Sequence, residues 1–315
     1  MLVIVCPGQG SQVPGLLAPW LEDPGLADLV GRLGEAADTD LTTHGTTSDA
    51  DTIRDTSVAQ PLIVAAGLVS LAATFESTDG SLPRPPAGAL SGHSVGEITA
   101  AAIAGALTPE QAMTLVGVRG RAMAEASRAH PTGMSAVLGG TMDDVVAAIE
   151  RHGLTPANVN GAGQIVAAGD LDALAALGED PPAKARVRPL QVAGAFHTTY
   201  MASAVDALDE AARGMKVADP AIPLVSNRDG EIVASGADLV ARLVHQVSNP
   251  VRWDLCMERF GAMGVTGILE LLPSGTLTGL AKRGLKGVEL FGVSGPDVLD
   301  DARAFVAAHA AEQSA

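Results

Sequence analysis

The stretch Gly92-His93-Ser94-Val95-Gly96-Glu97 follows a short apolar run at 87–90 and leads into an alanine-rich segment at 98–106. That order predicts a strand, a tight turn and a helix, with Ser94 at the tip of the turn. The flanking glycines let the backbone turn without a Cβ clash. A helix N-terminus behind the serine directs N–H groups and partial positive charge to where an oxyanion could form. The pattern therefore predicts a nucleophilic serine. The alternative is a Gly-rich turn between strand and helix whose serine has no catalytic role.

The composition restricts the class of protein. With 315 residues and 47% hydrophobic residues, the chain can form one large domain with a smaller companion. Aromatic residues make up only 3%, so the core must consist mainly of Ala, Val and Leu. The formal net charge of −16 would be repelled by a phosphate backbone, so we expect no nucleic-acid partner.

The cysteines and apolar segments predict a soluble protein of the cytoplasm. Cys6 and Cys256 match no metal-ligand spacing, and there is no HExxH motif, so we expect no metal and two buried, reduced thiols. The apolar run at the N-terminus has no basic flank and is too short for a signal peptide. The longest apolar stretch, 61–75, is interrupted by polar residues and predicts a buried helix rather than a membrane span.

The apolar run at 2–6 predicts a central parallel strand, and a Gly-rich loop at 7–12 follows it. Such a loop occurs in dinucleotide-binding folds, but here the third glycine is displaced to Gly15 and the expected acidic residue is missing. The loop can instead bring the N–H of Gln9 close to a reacting atom. The alternative is a turn that ends the strand and has no role in function.

Two different orders of predicted strands and helices indicate an α/β fold in two parts. Strands alternating with helices over 1–126 and 193–315 indicate a mostly parallel sheet. Between them, 127–192 shows the order β-α-β-β-α-β, which is the ferredoxin-like motif and predicts a small inserted subdomain. In the second part of the large subdomain, 251–263 is predicted as a helix.

A serine needs a base, and the candidates are histidines. His197 follows the last predicted strand of the insert and could line the cleft between the two parts, although it could equally be a packed loop histidine. His152 and His309 are predicted to lie at the surface. Arg119 lies on an otherwise apolar helix face, so it either pairs with an internal carboxylate or binds an anionic ligand.

Taken in order, several short motifs resemble one family, the malonyl-CoA:acyl-carrier-protein transacylases of fatty-acid and polyketide synthesis. The matching pieces are Gly8-Gln9-Gly10-Ser11-Gln12, Gly92-His93-Ser94-Val95-Gly96-Glu97, Arg119, Ala157-Asn158-Val159-Asn160 with Gly163-Gln164, Gly194-Ala195-Phe196-His197, and Gln246 before Asn249-Pro250-Val251. The resemblance extends over nearly the whole chain. It implies an α/β-hydrolase-like large subdomain with a ferredoxin-like insert.

The resemblance also implies roles for individual residues. Ser94 would attack malonyl-CoA, and His197 would be its base, oriented by the backbone carbonyl of Gln246 rather than by an aspartate. The N–H groups of Gln9 and Val95 would form the oxyanion hole. The remaining residues expected to contact the substrate are Arg119, which would hold the malonyl carboxylate, and His93, Asn160, Gln164 and Phe196.

In related acyltransferase domains, a His-Ala-Phe-His stretch that ends at the base resembles malonyl selection, and Tyr-Ala-Ser-His resembles methylmalonyl selection. This chain has Gly194-Ala195-Phe196-His197, so Phe196 favours malonyl while Gly194 departs from the pattern. The implied partners are malonyl-CoA and an acyl carrier protein, with no cofactor, and we expect a monomer. Carrier docking could use the basic residues Lys184, Arg186 and Arg188, or Lys282, Arg283 and Lys286.

Two other functions remain compatible with the sequence. A serine hydrolase or thioesterase would use the same nucleophile, although Arg119 favours an acyl group with a second negative charge. A non-catalytic module that docks acyl carriers would require Ser94 or His197 to be misplaced. The sequence does not distinguish fatty-acid from polyketide synthesis.

Overall fold

The computed structural model describes residues 1–77 and 82–310. The strands are, in chain order, β1 (Leu2–Cys6), β2 (Ala89–Gly92), β3 (Thr132–Gly139), β4 (Thr155–Gly161), β5 (Gln164–Asp170), β6 (Ala185–Pro189), β7 (Leu224–Val225), β8 (Val251–Arg252), β9 (Gly267–Glu270) and β10 (Glu289–Gly292). The helices are α1 (Pro24–Ala37), α2 (Leu41–Thr46), α3 (Thr56–Thr74), α4 (Gly96–Ile103), α5 (Pro109–Ala129), α6 (Met142–Arg151), α7 (Leu171–Glu179), α8 (Ala202–Arg213), α9 (Gly236–Gln246), α10 (Trp253–Ala262), α11 (Thr276–Gly284) and α12 (Leu299–Ala310).

The first sheet has the order β10-β9-β1-β2-β7, and all of its strand pairs are parallel. The mostly parallel α/β sheet predicted from the sequence is therefore confirmed. Every residue of β1 is buried, as expected for a central strand covered on both faces. Cys6 at the end of β1 is opposite Gly92 at the end of β2, so the Gly-rich loop and the serine turn leave the sheet side by side.

The second sheet has the order β6-β3-β5-β4-β8. Its strands β3 to β6 alternate with α6 and α7 in the predicted order β-α-β-β-α-β, and they pair antiparallel. The fifth strand, β8, comes from outside this segment and pairs parallel with β4 through Asn158 and Val159. The expectation that 251–263 is entirely helical is wrong at its start, because Val251 and Arg252 extend this sheet before α10 begins. The subdomain bounds at 127 and 192 remain a prediction.

Helix α3 is the predicted buried helix. By length and composition alone it could cross a membrane, and it is the one such helix within residues 1–77 and 82–310. However, 83% of its apolar window is buried inside the fold. It packs chiefly against α5, the helix that carries Arg119. A buried apolar helix of this kind is typical of the core of a globular domain.

Two further predictions concern single side chains. Cys6 and Cys256 are both buried and free, as expected. The prediction that His309 lies at the surface is wrong: the residue is buried, because α12 packs against β9. Its Nδ1 lies 2.9 Å from Thr266 Oγ1. The ring occupies the space over Gly267, where an added Cβ would lie 2.4 Å from the imidazole.

Candidate active site

The serine turn joins β2 to α4 within three residues. Ser94 has a φ of 54°, in the left-handed region that non-glycine residues rarely adopt. On either side, the backbone approaches too closely for a side chain. An added Cβ on Gly92 would lie 1.9 Å from the carbonyl carbon of Gly96, and one on Gly96 would lie 2.1 Å from the carbonyl oxygen of Cys6. Gly92 is therefore required by the close approach of the start of α4, and Gly96 by the packing of the turn on the end of β1.

The turn is held in place by Asn227, which follows β7. Its Oδ1 accepts a hydrogen bond from the N–H of Ser94 at 2.8 Å, and its Nδ2 donates to the carbonyl oxygen of Gly92 at 2.7 Å. The N–H of Ser94 is therefore occupied. Among the hydrogen bonds of residues 1–77 and 82–310, the backbone N–H of Val95 and that of Gln9 have no acceptor.

His197 is hydrogen-bonded to Ser94. Its Nε2 lies 2.8 Å from Ser94 Oγ, and its Nδ1 lies 2.7 Å from the carbonyl oxygen of Gln246 at the end of α9. Because a carbonyl can only accept, we assign the ring proton to Nδ1, which leaves Nε2 to accept the serine proton. His197 also has a left-handed backbone, with a φ of 61°, and it is buried.

Burial lowers the pKa of His197 to about 3, and the positive charge of Arg119 lowers it in the same direction. The hydrogen bond to the Gln246 carbonyl acts in the opposite sense. The free ring is therefore neutral at physiological pH. A neutral imidazole with its Nε2 on a serine hydroxyl has the form required of a general base.

Arg119 lies beneath the serine and is only 1% exposed. Its Nη1 donates to Gln60 Oε1 at 2.7 Å, and its Nη2 donates to Gln246 Oε1 at 3.1 Å and to Ser94 Oγ at 3.3 Å. Burial lowers the pKa of Arg119 to about 10, partly offset by the carboxylate of Glu97. The guanidinium is therefore charged at neutral pH, and its contacts are to neutral amide and hydroxyl groups.

The cavity above these residues has a volume of about 450 Å³. It lies between the two sheets, since it is lined from the Gly-rich loop and serine turn on one side and from β4 and β5 on the other. Seven of the site residues predicted from the sequence line this cavity: Gln9, His93, Ser94, Asn160, Gln164, Phe196 and His197. Of the other predicted residues, Arg119, Gln246 and Val95 lie behind this wall, buried beside Ser94.

Three of the wall residues make contacts that fix their orientation. His93 Nε2 lies 2.9 Å from Asn160 Oδ1, which ties the serine turn to β4. Burial lowers the pKa of His93, so this ring is also neutral. At the rim, Gln164 Oε1 accepts a hydrogen bond from Arg283 at 3.4 Å.

The structure explains why position 194 is a glycine. An added Cβ on Gly194 would lie 2.4 Å from the Oγ of Ser127, which hydrogen-bonds back to Met123 within α5. The loop that carries Phe196 and His197 therefore packs directly against α5. Phe196 is 6% exposed and lies on the cavity wall.

Three residues around the site were not identified from the sequence, namely Gln60, Glu97 and Asn227. Asn227 follows a parallel strand at its carboxyl end, where polar side chains commonly form sites, so its position carried a usable signal. Gln60 and Glu97 lie within helices α3 and α4, and their roles depend on contacts with residues more than 50 positions away. In the described part of the chain, no group of three or more His, Cys, Asp or Glu side chains could hold a metal ion.

A family model and the similar proteins of known sequence both relate this chain to the acyl transferases. Residues 3–310 match the model of the acyl transferase domain family. The chain is 50% identical over 301 residues to the malonyl CoA-acyl carrier protein transacylase of Mycobacterium bovis, covering 96% of this chain and 99% of that protein.

Solved structures agree with this sequence similarity. The crystal structure of MCAT from Mycobacterium tuberculosis superimposes with a TM-score of 0.90 at 50% identity, covering 96% of this chain and 99% of that one. A second structure, a type II PKS acyl-carrier protein in complex with its malonyl-transacylase, has a TM-score of 0.88 at 29% identity, covering 96% and 99%.

Proposed function

Since this chain belongs to the acyl transferase domain family, we propose that it transfers the malonyl group from malonyl-CoA to the phosphopantetheine thiol of an acyl carrier protein. The observation that carries this proposal is the cluster of Ser94, His197 and Arg119. A serine hydroxyl on a neutral imidazole can form an acyl ester, and a buried cation 3.3 Å from the same hydroxyl favours an acyl group that carries its own negative charge.

In the first half-reaction, Ser94 Oγ attacks the thioester carbonyl of malonyl-CoA, and His197 Nε2 takes the hydroxyl proton. The N–H groups of Gln9 and Val95, which are free to donate, stabilise the oxyanion of the tetrahedral intermediate. The C–S bond then breaks, and His197 returns the proton to the departing CoA thiol. The products are free CoA and a malonyl ester on Ser94.

In the second half-reaction, the carrier's phosphopantetheine thiol occupies the place of CoA. His197 takes the thiol proton, the sulfur attacks the ester carbonyl, and the proton passes to Ser94 Oγ as the C–O bond breaks. This sequence gives ping-pong kinetics. The nucleophile, the base and the cation all belong to the chain, so we propose that no cofactor takes part.

Arg119 binds the free malonyl carboxylate in this scheme. The guanidinium has five N–H donors, and its present partners are uncharged, so a carboxylate forms stronger, charge-assisted contacts than those it displaces. Phe196 on the cavity wall restricts branching at the α-carbon and favours malonyl over methylmalonyl. The substrate, or the side chains that contact it, are held in orientation by Gln246, His93, Asn160 and Gln164.

The carrier docks near the cavity rim, where two basic clusters lie close to wall residues. Lys282 and Arg283 end α11, whose earlier residues line the cavity, and Lys286 follows. Arg186 and Arg188 on β6 precede the wall residue Leu190 and, with Lys184, are exposed. We expect the protein to act as a monomer in the cytoplasm, in fatty-acid or polyketide synthesis.

The decisive experiment is intact-mass analysis after brief mixing with malonyl-CoA, for wild type and Ser94→Ala. We expect a malonyl adduct on the wild type only, which a holo carrier protein removes. Loss of the thioester to water without an adduct would instead indicate a serine hydrolase on the same nucleophile. The absence of both adduct and turnover would favour a docking module without catalytic activity.

A further inference from the structure

Glu97, in the first turn of α4, is a buried carboxylate that the mechanism above does not use. It is 2% exposed, and within residues 1–77 and 82–310 it forms no ion pair with a basic side chain. Its Oε1 accepts a hydrogen bond from the N–H of Asn227 at 2.7 Å, and its Oε2 accepts one from Gln246 Nε2. Burial raises its pKa to about 7, against the opposing effects of the Asn227 N–H, the Ser226 side chain and the positive charges of Arg242 and Arg119.

The contact between Glu97 and Gln246 determines which end of the Gln246 amide faces Arg119. A carboxylate can only accept, so Gln246 must present its Nε2 to Glu97 and its Oε1 to the other side. There Oε1 accepts the hydrogen bond from Arg119 Nη2 at 3.1 Å. The same Gln246 Nε2 lies 3.2 Å from Asn227 Oδ1, which gives a second reason for this orientation.

We propose that Glu97 is a positioning residue that sets the orientation of the Gln246 amide and thereby holds Arg119 ready for the carboxylate of the acyl group. The chain of contacts is Glu97 to Gln246 to Arg119. This inference rests on the proposed function, because it assigns Arg119 to the malonyl carboxylate. Glu97 does not touch the substrate and affects binding only through these two residues.

The substitution Glu97→Gln separates this role from a general structural one. The new amide oxygen can still accept from the N–H of Asn227, so the support of the serine turn is retained. Its Nε2 then faces Gln246 Nε2, and two donors cannot pair. If Gln246 rotates to relieve this, its own Nε2 faces Arg119. In either case, Arg119 loses a correctly oriented neighbour while the volume of the buried side chains is unchanged.

The first measurement is equilibrium binding of malonyl-CoA and of acetyl-CoA to the Ser94→Ala variant, with and without Glu97→Gln. It is made at pH 8, where the Glu97 carboxylate is mostly ionised. We expect Glu97→Gln to weaken malonyl-CoA binding by about 10- to 100-fold, the range for losing a hydrogen bond at a charged group, and to change acetyl-CoA binding less than about 2-fold. Equal weakening of both ligands, or no change in either, would overturn the proposal.

The second measurement reports on the serine without any acyl carboxylate. Phenylmethylsulfonyl fluoride sulfonylates an activated serine with loss of fluoride, and the reaction uses the serine, its base and the oxyanion donors but has no carboxylate for Arg119 to bind. We expect Glu97→Gln on the otherwise wild-type chain to react at an unchanged rate. A large fall in this rate would mean that Glu97 supports the serine turn and would contradict the proposed route through Gln246. Glu110→Gln, in the exposed first turn of α5, is the matched control.

A double-mutant cycle tests the route through Gln246 directly. Gln246→Met removes the amide but keeps the main-chain carbonyl that contacts His197. In that background, Glu97→Gln should cause no further loss of malonyl-CoA binding, and an additive loss would refute the route. Because all binding assays use Ser94→Ala, they remain informative even if intact-mass analysis finds no malonyl-serine, so the two proposals can fail separately.

Discussion

The Nη2 atom of Arg119 lies 3.3 Å from the Oγ of Ser94, so the cation already contacts the hydroxyl in the free protein. The same Oγ lies 2.8 Å from His197 Nε2. The hydroxyl therefore has an acceptor for its proton on one side and a positive charge on the other. In the proposed mechanism, a malonyl carboxylate that takes the Nη2 hydrogen now directed at Ser94 releases this contact, which would couple binding of the acyl group to exposure of the nucleophile.

We expect Arg119→Ala to reverse the preference between acyl groups. Removing the cation should lower kcat/KM for malonyl-CoA by about 100-fold, because a charge-assisted contact is lost. The rate with acetyl-CoA should fall much less, since acetyl has no carboxylate. Acyl-enzyme formation, measured by mass for both substrates, gives the ratio. Arg121→Ala, two positions along the same helix and bonded to the carbonyl of Ala37, is the control that should leave the ratio unchanged.

Much of this site was predictable because it is encoded in short contiguous motifs. Each of three motifs follows a strand and lines the same cavity: the serine turn, the Gly-rich loop and the Phe196–His197 segment. The alternating strands and helices that place them were recognisable in the sequence. The partners in the supporting contacts were not predictable, although the position of Asn227 after a parallel strand marked it as a candidate site residue. Asn227 holds Ser94 from 133 positions away, and Gln246 meets Glu97 across 149 positions, so only the folded chain brings them together. The burial of His309 was not predicted, because Gly267, over which its ring packs, lies 42 positions earlier in the sequence.

The glycines of the serine turn should tolerate no side chain. Gly96→Ala places a Cβ 2.1 Å from the carbonyl oxygen of Cys6, and backbone on both sides cannot rotate away as a side chain could. We expect a loss of about 3 kcal/mol or more in the free energy of unfolding, or no folded protein. Denaturant unfolding gives this value. Stability within 1 kcal/mol of the wild type would show that the turn can relax.

Gly31 provides the opposite case. It lies in the interior of α1, is exposed, and an added Cβ would meet nothing within 4 Å. We expect Gly31→Ala to raise the free energy of unfolding by about 0.5–1 kcal/mol, because alanine loses less backbone entropy in a helix. The same denaturant titration, carried out in parallel with Gly96→Ala, checks both predictions.

The low pKa of His197 predicts a loss of stability in acid. In the folded protein its pKa is about 3, whereas in the unfolded chain it is near the ordinary histidine value of 6.5. Between these values the unfolded state binds a proton that the native state excludes, so stability falls as the pH falls below 6.5. The expected loss is about 1.4 kcal/mol per pH unit, or about 2 kcal/mol by pH 5.

This contribution can be isolated with His197→Asn, because asparagine tolerates the left-handed backbone at this position. Unfolding free energies are measured at pH 7 and pH 5 for both proteins. We expect the wild type to lose about 2 kcal/mol more than the variant. The raised pKa of Glu97 changes stability in the opposite sense but is common to both proteins. Equal pH dependence would show that His197 titrates normally in the fold.

Carrier docking should depend on the basic residues at the cavity rim rather than on the net charge of the chain. One variant reverses Lys184, Arg186 and Arg188 to Glu, and a second reverses Lys282, Arg283 and Lys286. We expect at least one of them to raise KM for the carrier by about 10-fold or more and to flatten its salt dependence, because screened surface charges steer association. Formation of malonyl-serine should be unchanged in the variant of Lys184, Arg186 and Arg188, since this half-reaction does not involve the carrier. In the second variant it is measured separately, because Arg283 donates a hydrogen bond to Gln164 on the cavity wall.

The control variant reverses three exposed basic residues that do not line the cavity, Arg151, Arg213 and Lys216, and therefore changes the net charge by the same amount. If carrier affinity follows the rim clusters, this control keeps the wild-type KM and salt dependence. If all three variants weaken binding equally, the carrier responds to the overall field of an acidic protein. If none does, docking relies on apolar contacts at the rim, where Leu190 is exposed beside the cavity and is the first residue to replace.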